Sequence, residues 1–417
     1  MKKEKVIKRR IIFINRYFYP DHSATSQILS DLAFYLSSRG MDIEIISSRQ
    51  KYDNPAAVLK KHEVINGVRV NRIWTTRFGR QNLPGRAIDY LSFYLSAMSY
   101  FLFNLKSNDV VVAKTDPPLI SIISALMCGL KGASLINWIQ DLFPEVAQSL
   151  GVKGLSLVYP LLISVRNYSL RSAYKNVVIG EIMSQRLQDY GIEKNKIEVI
   201  HNWSIEDNIV PLDPSNNPLR EEWHLQDKFV VGYSGNIGRA HEYATLLGIA
   251  KSLVNETDVV FVIIGGGALY DKFKQQVVNL GLTNVVFQPY QPKEILPYSL
   301  TFPDLHVISL RPDLEGLIVP SKFYGIAASG RPVLYIGNLK GEIPSILKER
   351  ICGQTVTIGD VESAVKFIEK LKMDSETTIK MGGASRQIFD EKFNKQISFD
   401  SWVSLLSPLI SIDNKPN

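Results

Sequence analysis

The hydrophobic pattern of the chain alternates between two kinds of segment. Short, almost uniformly apolar runs such as RIIFIN, MDIEIIS, DVVVAK and ASLINWIQ alternate with longer stretches like ILSDLAFYLSSRG, where apolar residues recur at helical spacing. The short runs read as strands buried on both faces, and the longer stretches as helices crossing between them. Repeated strand–loop–helix–strand units imply a parallel sheet. The design returns further on: KFVVGYS as a strand, GNIGRAHEY as a loop, ATLLGIAKSLVNET as a helix and DVVFVIIGGG as the next strand, followed by NVVFQPY, DLHVISL and RPVLYIG. The expected class is α/β, with two doubly wound Rossmann-like domains whose ligand loops lie at the carboxyl ends of their strands. The pattern lapses over residues 202–227, which are rich in Asn, Asp and Pro and read as a linker and lead-in. This predicts a first domain over 1–205 and a second over 206–392. A terminal segment over 393–417 carries an amphipathic helix, NKQISFDSWVSLLSPLI, with an apolar face free to pack back on the first domain.

Composition narrows the setting. A chain of 417 residues is long enough for two or three domains with large cores. Its two cysteines, Cys128 and Cys352, sit in apolar or Gly-flanked segments with no CxxC spacing, which predicts reduced, buried thiols and a cytosolic protein. The basic start MKKEKVIKRR is followed by too short an apolar run for a signal peptide and reads as a lead-in to the first strand. The longest apolar runs, PPLISIISALMCGL and LSFYLSAMSYFLFNL, fall short of the roughly 20 residues that span a bilayer, so a soluble or peripheral protein is expected. A net charge of +7 suits nucleic acid, an anionic membrane or a phosphorylated substrate. Without an RNP, zinc-finger or helix-turn-helix signature, nucleic acid is not the expected partner. Arg77, Arg80 and Arg86 precede the aromatic run Leu91–Leu105, which reads either as a membrane-surface element or as a core helix behind a solvated basic loop.

Candidate chemistry concentrates in a few loops. In VPSKFYGIAASGRPV a strand end leads to a helix that starts near Ser321, where a serine would cap it, and stops at Gly330 ahead of Pro332. Lys322 at its positive end would suit an anion, phosphate above all, though a solvated lysine on a tightly packed helix fits as well. The loop YSGNIGRAHE offers Gly235 and Gly238 for close backbone approach and Arg239 as a permanent cation, and leads into another helix N-terminus, again an anion site. It matches neither GxxxxGK[ST] nor GxGxxG, so a dinucleotide is not indicated. From neighbouring loops of one sheet, Arg239 and Lys322 would clamp a diphosphate, with Gly265–Gly267 nearby as a cradle or a tight turn. In the first domain Asp141 ends a strand and Glu145 opens a helix after Pro144; both read equally as helix-capping groups. Asp116 reads as part of a turn, and His22 as a loop histidine after the first strand. His201 and His306 lack a metal-ligand setting, and neither a GxSxG elbow nor a Cys/His pair is present.

In their order and spacing, YFYPDHSATSQ, LSSRG, KTDPPL, IQDLFPE, VIHNW, YSGNIG, VIIGGG, FPDLHVISL and VPSKFYGIAASGRPVLYIG cover nearly the whole chain. Together they resemble the retaining glycosyltransferases of family 4. The closer likeness is to the subgroup that builds O-antigen, capsule and colanic-acid repeat units on a polyprenyl diphosphate carrier. The resemblance implies a GT-B fold, two Rossmann-like domains facing a cleft. It implies a cytoplasmic enzyme held peripherally at the inner face of the cell membrane, with Arg77, Arg80 and Arg86 as contacts. Its partners would be a nucleotide-diphosphate sugar, such as UDP-N-acetylfucosamine or another N-acetylated or deoxy sugar, and a lipid-linked saccharide acceptor. Gly235, Asn236, Arg239, Ser321 and Lys322 would hold the diphosphate, and Gln288 to Tyr290 the base. Asp141, with Arg239 and Lys322, would act at the reacting centre; His22, Ser23, Thr25 and Glu145 would line the acceptor side. No cofactor is implied, and the cations and helix N-termini make a metal unnecessary for the diphosphate. Two departures stand out. The second of a frequent glutamate pair falls at Gly325, leaving Glu315 as the expected sugar or ribose contact, and Ser23-Ala24-Thr25-Ser26 replaces a usual Gly-Gly. A GT-B nucleotide-sugar 2-epimerase and a non-catalytic envelope-assembly scaffold are the rival readings.

Overall fold

The computed structural model describes residues 9–54, 56–79, 83–152, 154–204 and 208–410. They form two compact units, Met1–His201 with Gln396–Asn417, and Asn202–Lys395.

The first unit is built on strands β1 (Arg10–Ile14), β2 (Asp42–Ser48), β3 (His62–Ile65), β4 (Val68–Ile73), β5 (Val110–Lys114), β6 (Ser134–Ile139), β7 (Lys175–Val178) and β8 (Ile197–Val199). They lie in the order β3-β4-β2-β1-β5-β6-β7-β8, parallel except for the β3–β4 pair. The uniformly apolar runs are explained by the two covered faces. On β1, Ile12 and Ile14 share a core with Phe93, Ala97 and Phe101 of the helix Leu83–Asn104. Phe13 between them meets Trp138 of β6 and Trp402 edge-on, ring centroids 6.4 Å from each. Trp402 belongs to the helix Lys395–Ile410, so the terminal helix completes the core of the first unit.

The second unit carries β9 (Phe229–Asn236), β10 (Val259–Gly266), β11 (Val285–Gln288), β12 (Leu305–Ser309), β13 (Val333–Ile336) and β14 (Gly353–Val356). All pairs are parallel, in the order β11-β10-β9-β12-β13-β14. Leu246, Ile249, Phe273 and Phe367 cover one face, and Leu219, Leu225 and Phe302 the other. Strand order reverses between β9 and β12 here, and between β1 and β5 in the first unit. Chain crossovers diverge at such points, leaving a crevice at the carboxyl ends where ligands bind in open α/β sheets.

Three local expectations are corrected. The first loop is shorter than it reads, because the helix Ala24–Ser38 takes up its last residues. The supposed lead-in over 202–227 includes a helix, Pro218–Glu222, capped by the Asn217 side chain accepting from the Leu219 amide. Its Arg220 is buried and donates to the Phe302 carbonyl and to Asp304, contacts that no local pattern announces. The strand end expected directly ahead of Ser321 is absent among the described residues, where a single bridge joins Glu315 to Ile318. Among the described residues no helix is long and apolar enough to cross a membrane.

Candidate functional site

At the switch point of the second unit, the loop after β9 folds onto Lys322. The Lys322 ammonium donates to the Asn236 carbonyl at 3.0 Å and to the Tyr233 hydroxyl, and lies 3.8 Å from the Tyr233 ring centroid. Gly235 makes this possible. Its φ is +113°, and a β-carbon there would lie 3.1 Å from the lysine Cε. Burial pushes the Lys322 pKa down to about 7. His241 donates from Nδ1 to the Ser309 carbonyl, and burial together with Lys322 holds its pKa down at about 4, so it is neutral at physiological pH. Arg239, three residues beyond Asn236, is exposed. The glycines ending β10 are a close packing surface: Gly265 abuts the Gly235 carbonyl and Gly267 the Asn236 side chain, leaving no room for a β-carbon at either. Gly266 lies against the Tyr290 ring, which is otherwise exposed, while Gln288 ends β11 partly buried.

Other expected features resolve differently. The helix after Ser321 runs only from Lys322 to Ala328, and the exposed Ser321 side chain makes no capping bond. Gly330, at φ +67°, does terminate it. The N-terminus of the helix Ala244–Ser252 is not an open anion site: the Glu242 carboxylate accepts from the Ala244 and Thr245 amides at 2.5 and 3.1 Å. Glu315 is turned inward. Its carboxylate accepts from the Tyr335 hydroxyl and from the Glu342 amide, both at 2.9 Å, and so caps the helix Glu342–Arg350. Buried at 3% exposure, it packs against Gly341 rather than presenting a free edge to a sugar.

At the switch point of the first unit, Asp141 follows β6 and lines a small cavity of about 30 Å³ with Thr115, Asn137, Phe143 and Arg166. Its Oδ1 is buried without a hydrogen-bond partner among the described residues. Burial first, and Asp116 second, push its pKa up to about 6 against the pull of the Thr115 hydroxyl. Glu145 has the structural role: Arg166 binds it through both guanidinium nitrogens at 2.6 and 3.3 Å and stacks on Tyr190. His22 is exposed, and its carbonyl accepts from the Gln27 amide. Ser23 donates through its amide and its hydroxyl to Asp21, which also accepts from the Tyr52 amide. The Thr25 carbonyl accepts from Lys114, a buried lysine 4.0 Å from the Trp138 ring centroid, whose pKa burial pushes down to about 7. Arg77 is exposed and Arg86 partly buried; Arg80 lies outside the described residues.

Sequence reading therefore missed Asp21, Lys114, Tyr233 and Glu242. Some signal was present: Lys114 is a lone cation at the end of an apolar strand, and Tyr233 shares strand parity with the buried Val231. Taken together, the second unit offers an amine and an exposed guanidinium at the carboxyl end of its sheet, an arrangement suited to a polyanion.

Residues 24–203 match the Glycosyl transferase 4-like domain, and residues 216–388 match Glycosyl transferases group 1. A Probable glycosyltransferase WbjE of Pseudomonas aeruginosa is 26% identical over 319 residues, 75% of this chain and 79% of that one. The Putative colanic acid biosynthesis glycosyl transferase WcaI of Escherichia coli K12 is 26% identical over 210 residues, covering 49% of this chain and 51% of its own. Among solved structures, Anabaena Alr3699/HepE in complex with UDP-glucose superposes with a TM-score of 0.70 at 15% identity, covering 95% of this chain and 99% of that one.

Proposed function

Because the chain belongs to the glycosyltransferases, as a family 4 member with the GT-B fold, we propose that it moves a sugar from a nucleotide-diphosphate donor to a saccharide carried on polyprenyl diphosphate. The product would be a repeat unit of surface polysaccharide, made at the inner face of the cell membrane by a peripherally held enzyme. The observation that carries the donor half of this reading is the seat of Lys322 on the Gly235–Asn236 backbone, with Arg239 on the same loop. UDP is the nucleotide to test first, because the solved HepE structure holds UDP-glucose; the colanic acid biosynthesis named for the WcaI relative favours surface polysaccharide as the destination.

In the reaction, the bond between the anomeric carbon and the β-phosphate oxygen breaks, and the acceptor hydroxyl forms the new glycosidic bond on the same face. The hydroxyl proton passes to the departing diphosphate. Lys322 and Arg239 balance the charge that grows on that leaving group, which is why no metal is assigned to holding it. Gln288 to Tyr290 would receive the base, and Asp141 would face the acceptor.

Thermal melting with UDP, GDP, ADP and their common sugar conjugates tests the donor assignment. At about 100 times the dissociation constant, a true ligand adds about 2.7 kcal/mol of stability. Arg239→Ala/Lys322→Ala should abolish the shift; an unchanged shift in that variant would sink the site assignment. A purified lipid-diphosphate acceptor should be required for turnover, and donor conversion without one would favour the epimerase reading.

A further inference from the structure

We infer that the outer face of the helix Leu83–Asn104 is the surface by which the first unit seats on an anionic lipid bilayer. The proposal rests on the membrane-side reading above and names the element responsible. This helix is apolar on two faces. One face, Phe93, Ala97 and Phe101, is sealed in the core. On the other, Ile88, Leu91, Leu95, Met98 and Leu102 follow one another three and four residues apart, all solvent-exposed. Leu91 and Leu95 are more than half exposed, at 57% and 55%, and Phe103 at 80% extends the row. A helix needs one apolar stripe to fold onto a sheet; a second, uninterrupted one needs another low-dielectric partner.

Charge selects the partner. The helix carries two charged residues, Arg86 and Asp89, and Asp89 is fully buried against Arg16 at 3.0 Å. No carboxylate therefore reaches solvent along the helix, while Arg77 before it and Lys106 after it are exposed cations. Lys61 adds to them along a groove of about 710 Å³ between the helix and β4, whose walls include His62, Trp74, Leu91, Leu95 and Phe103. Trp74, 63% exposed, and Phe103 supply the aromatic contacts favoured at headgroup depth. The next helix, Ile120–Lys131, packs alongside and also exposes Leu126 and Leu130. Apolar side chains bordered by cations, with no exposed acid between them, match the chemistry of an interfacial helix on anionic headgroups.

The test is co-sedimentation of the full chain with vesicles of phosphatidylcholine alone and of phosphatidylcholine mixed with phosphatidylglycerol. The chain should bind the mixed vesicles preferentially. Leu91→Gln/Leu95→Gln should weaken that binding by roughly tenfold or more, because each leucine loses its transfer into the interface. Both side chains are exposed, so the variant should melt as the parent does and keep its UDP-induced thermal shift, a readout that separates this proposal from the donor assignment. Absence of binding to mixed vesicles, equal binding to neutral ones, or undiminished binding by the variant would each overturn it. So would a dimer in solution that the same two substitutions dissociate, since the face would then belong to a second copy of the chain.

Discussion

Lys322 should make nucleotide binding take up a proton. Burial holds its pKa at about 7, whereas its ordinary value is 10.5. A diphosphate against the amine restores the charged form, so the bound state holds a proton that the free state has largely lost above pH 7. At pH 8 a group of pKa 7 is roughly nine-tenths neutral, so binding should absorb close to 0.9 proton. The sign follows from linkage: the complex binds more protons than the free protein, and affinity falls as pH rises from about 7 toward the pKa of the complex. The limit is about tenfold, or ~1.4 kcal/mol, per pH unit. Below pH 7 both states carry the charge and Lys322 contributes no slope. The terminal phosphate of UDP is itself fully ionised above pH 7, its second ionisation lying near about 6, so titrations between pH 7 and 9 isolate the lysine. Calorimetry with UDP at pH 8, in two buffers of different ionisation enthalpy, reads the proton count directly. Lys322→Arg, charged at every pH used, should flatten the profile. Equal heats in both buffers, or affinity constant from pH 7 to 9, would refute the reasoning.

Three further outcomes are expected. Asp141→Asn should stabilise the fold above pH 6 by about 1–3 kcal/mol while removing turnover. The pKa of Asp141 is raised in the folded state to about 6 from 3.8, so wild-type stability is lost between those values as pH rises, and the gain should vanish below pH 4 in urea melts. Glu145→Ala should cost about 3–5 kcal/mol because it leaves the buried Arg166 guanidinium without its bidentate partner; a loss under 1 kcal/mol in denaturant titrations would contradict this. Gly235→Ala should weaken UDP binding far more than it lowers the melting temperature, since its φ of +113° and the 3.1 Å approach to Lys322 force the amine from its seat.

The parallel sheets were readable because a strand covered on both faces must be apolar at nearly every position, as RIIFI and FVVG are. The switch-point loops followed from that order of strands and helices, and so did the pairing of the SGNIG loop with Lys322. What the sequence withheld was which acid answers which donor. Glu242, Glu315 and Glu145 are all used up by amides or guanidinium groups, two of them at helix starts, and those partners are defined only once the chain has folded. Lys114 and Asp21 escaped for the same reason. The apolar run around Leu91 was visible, but its periodicity does not say that one stripe is covered and the other open.

The position of Trp402 also orders events during synthesis. The helix Lys395–Ile410 is translated after the whole second unit, yet its indole fills the space against Phe13 and Trp138. A nascent chain can therefore form the first sheet early but must carry one bare aromatic face until almost two hundred further residues, Asn202–Lys395, have been made. That interval is a window for chaperone capture or misassembly. A ribosome stalled within the second unit would release a first unit that is incomplete despite having every one of its strands.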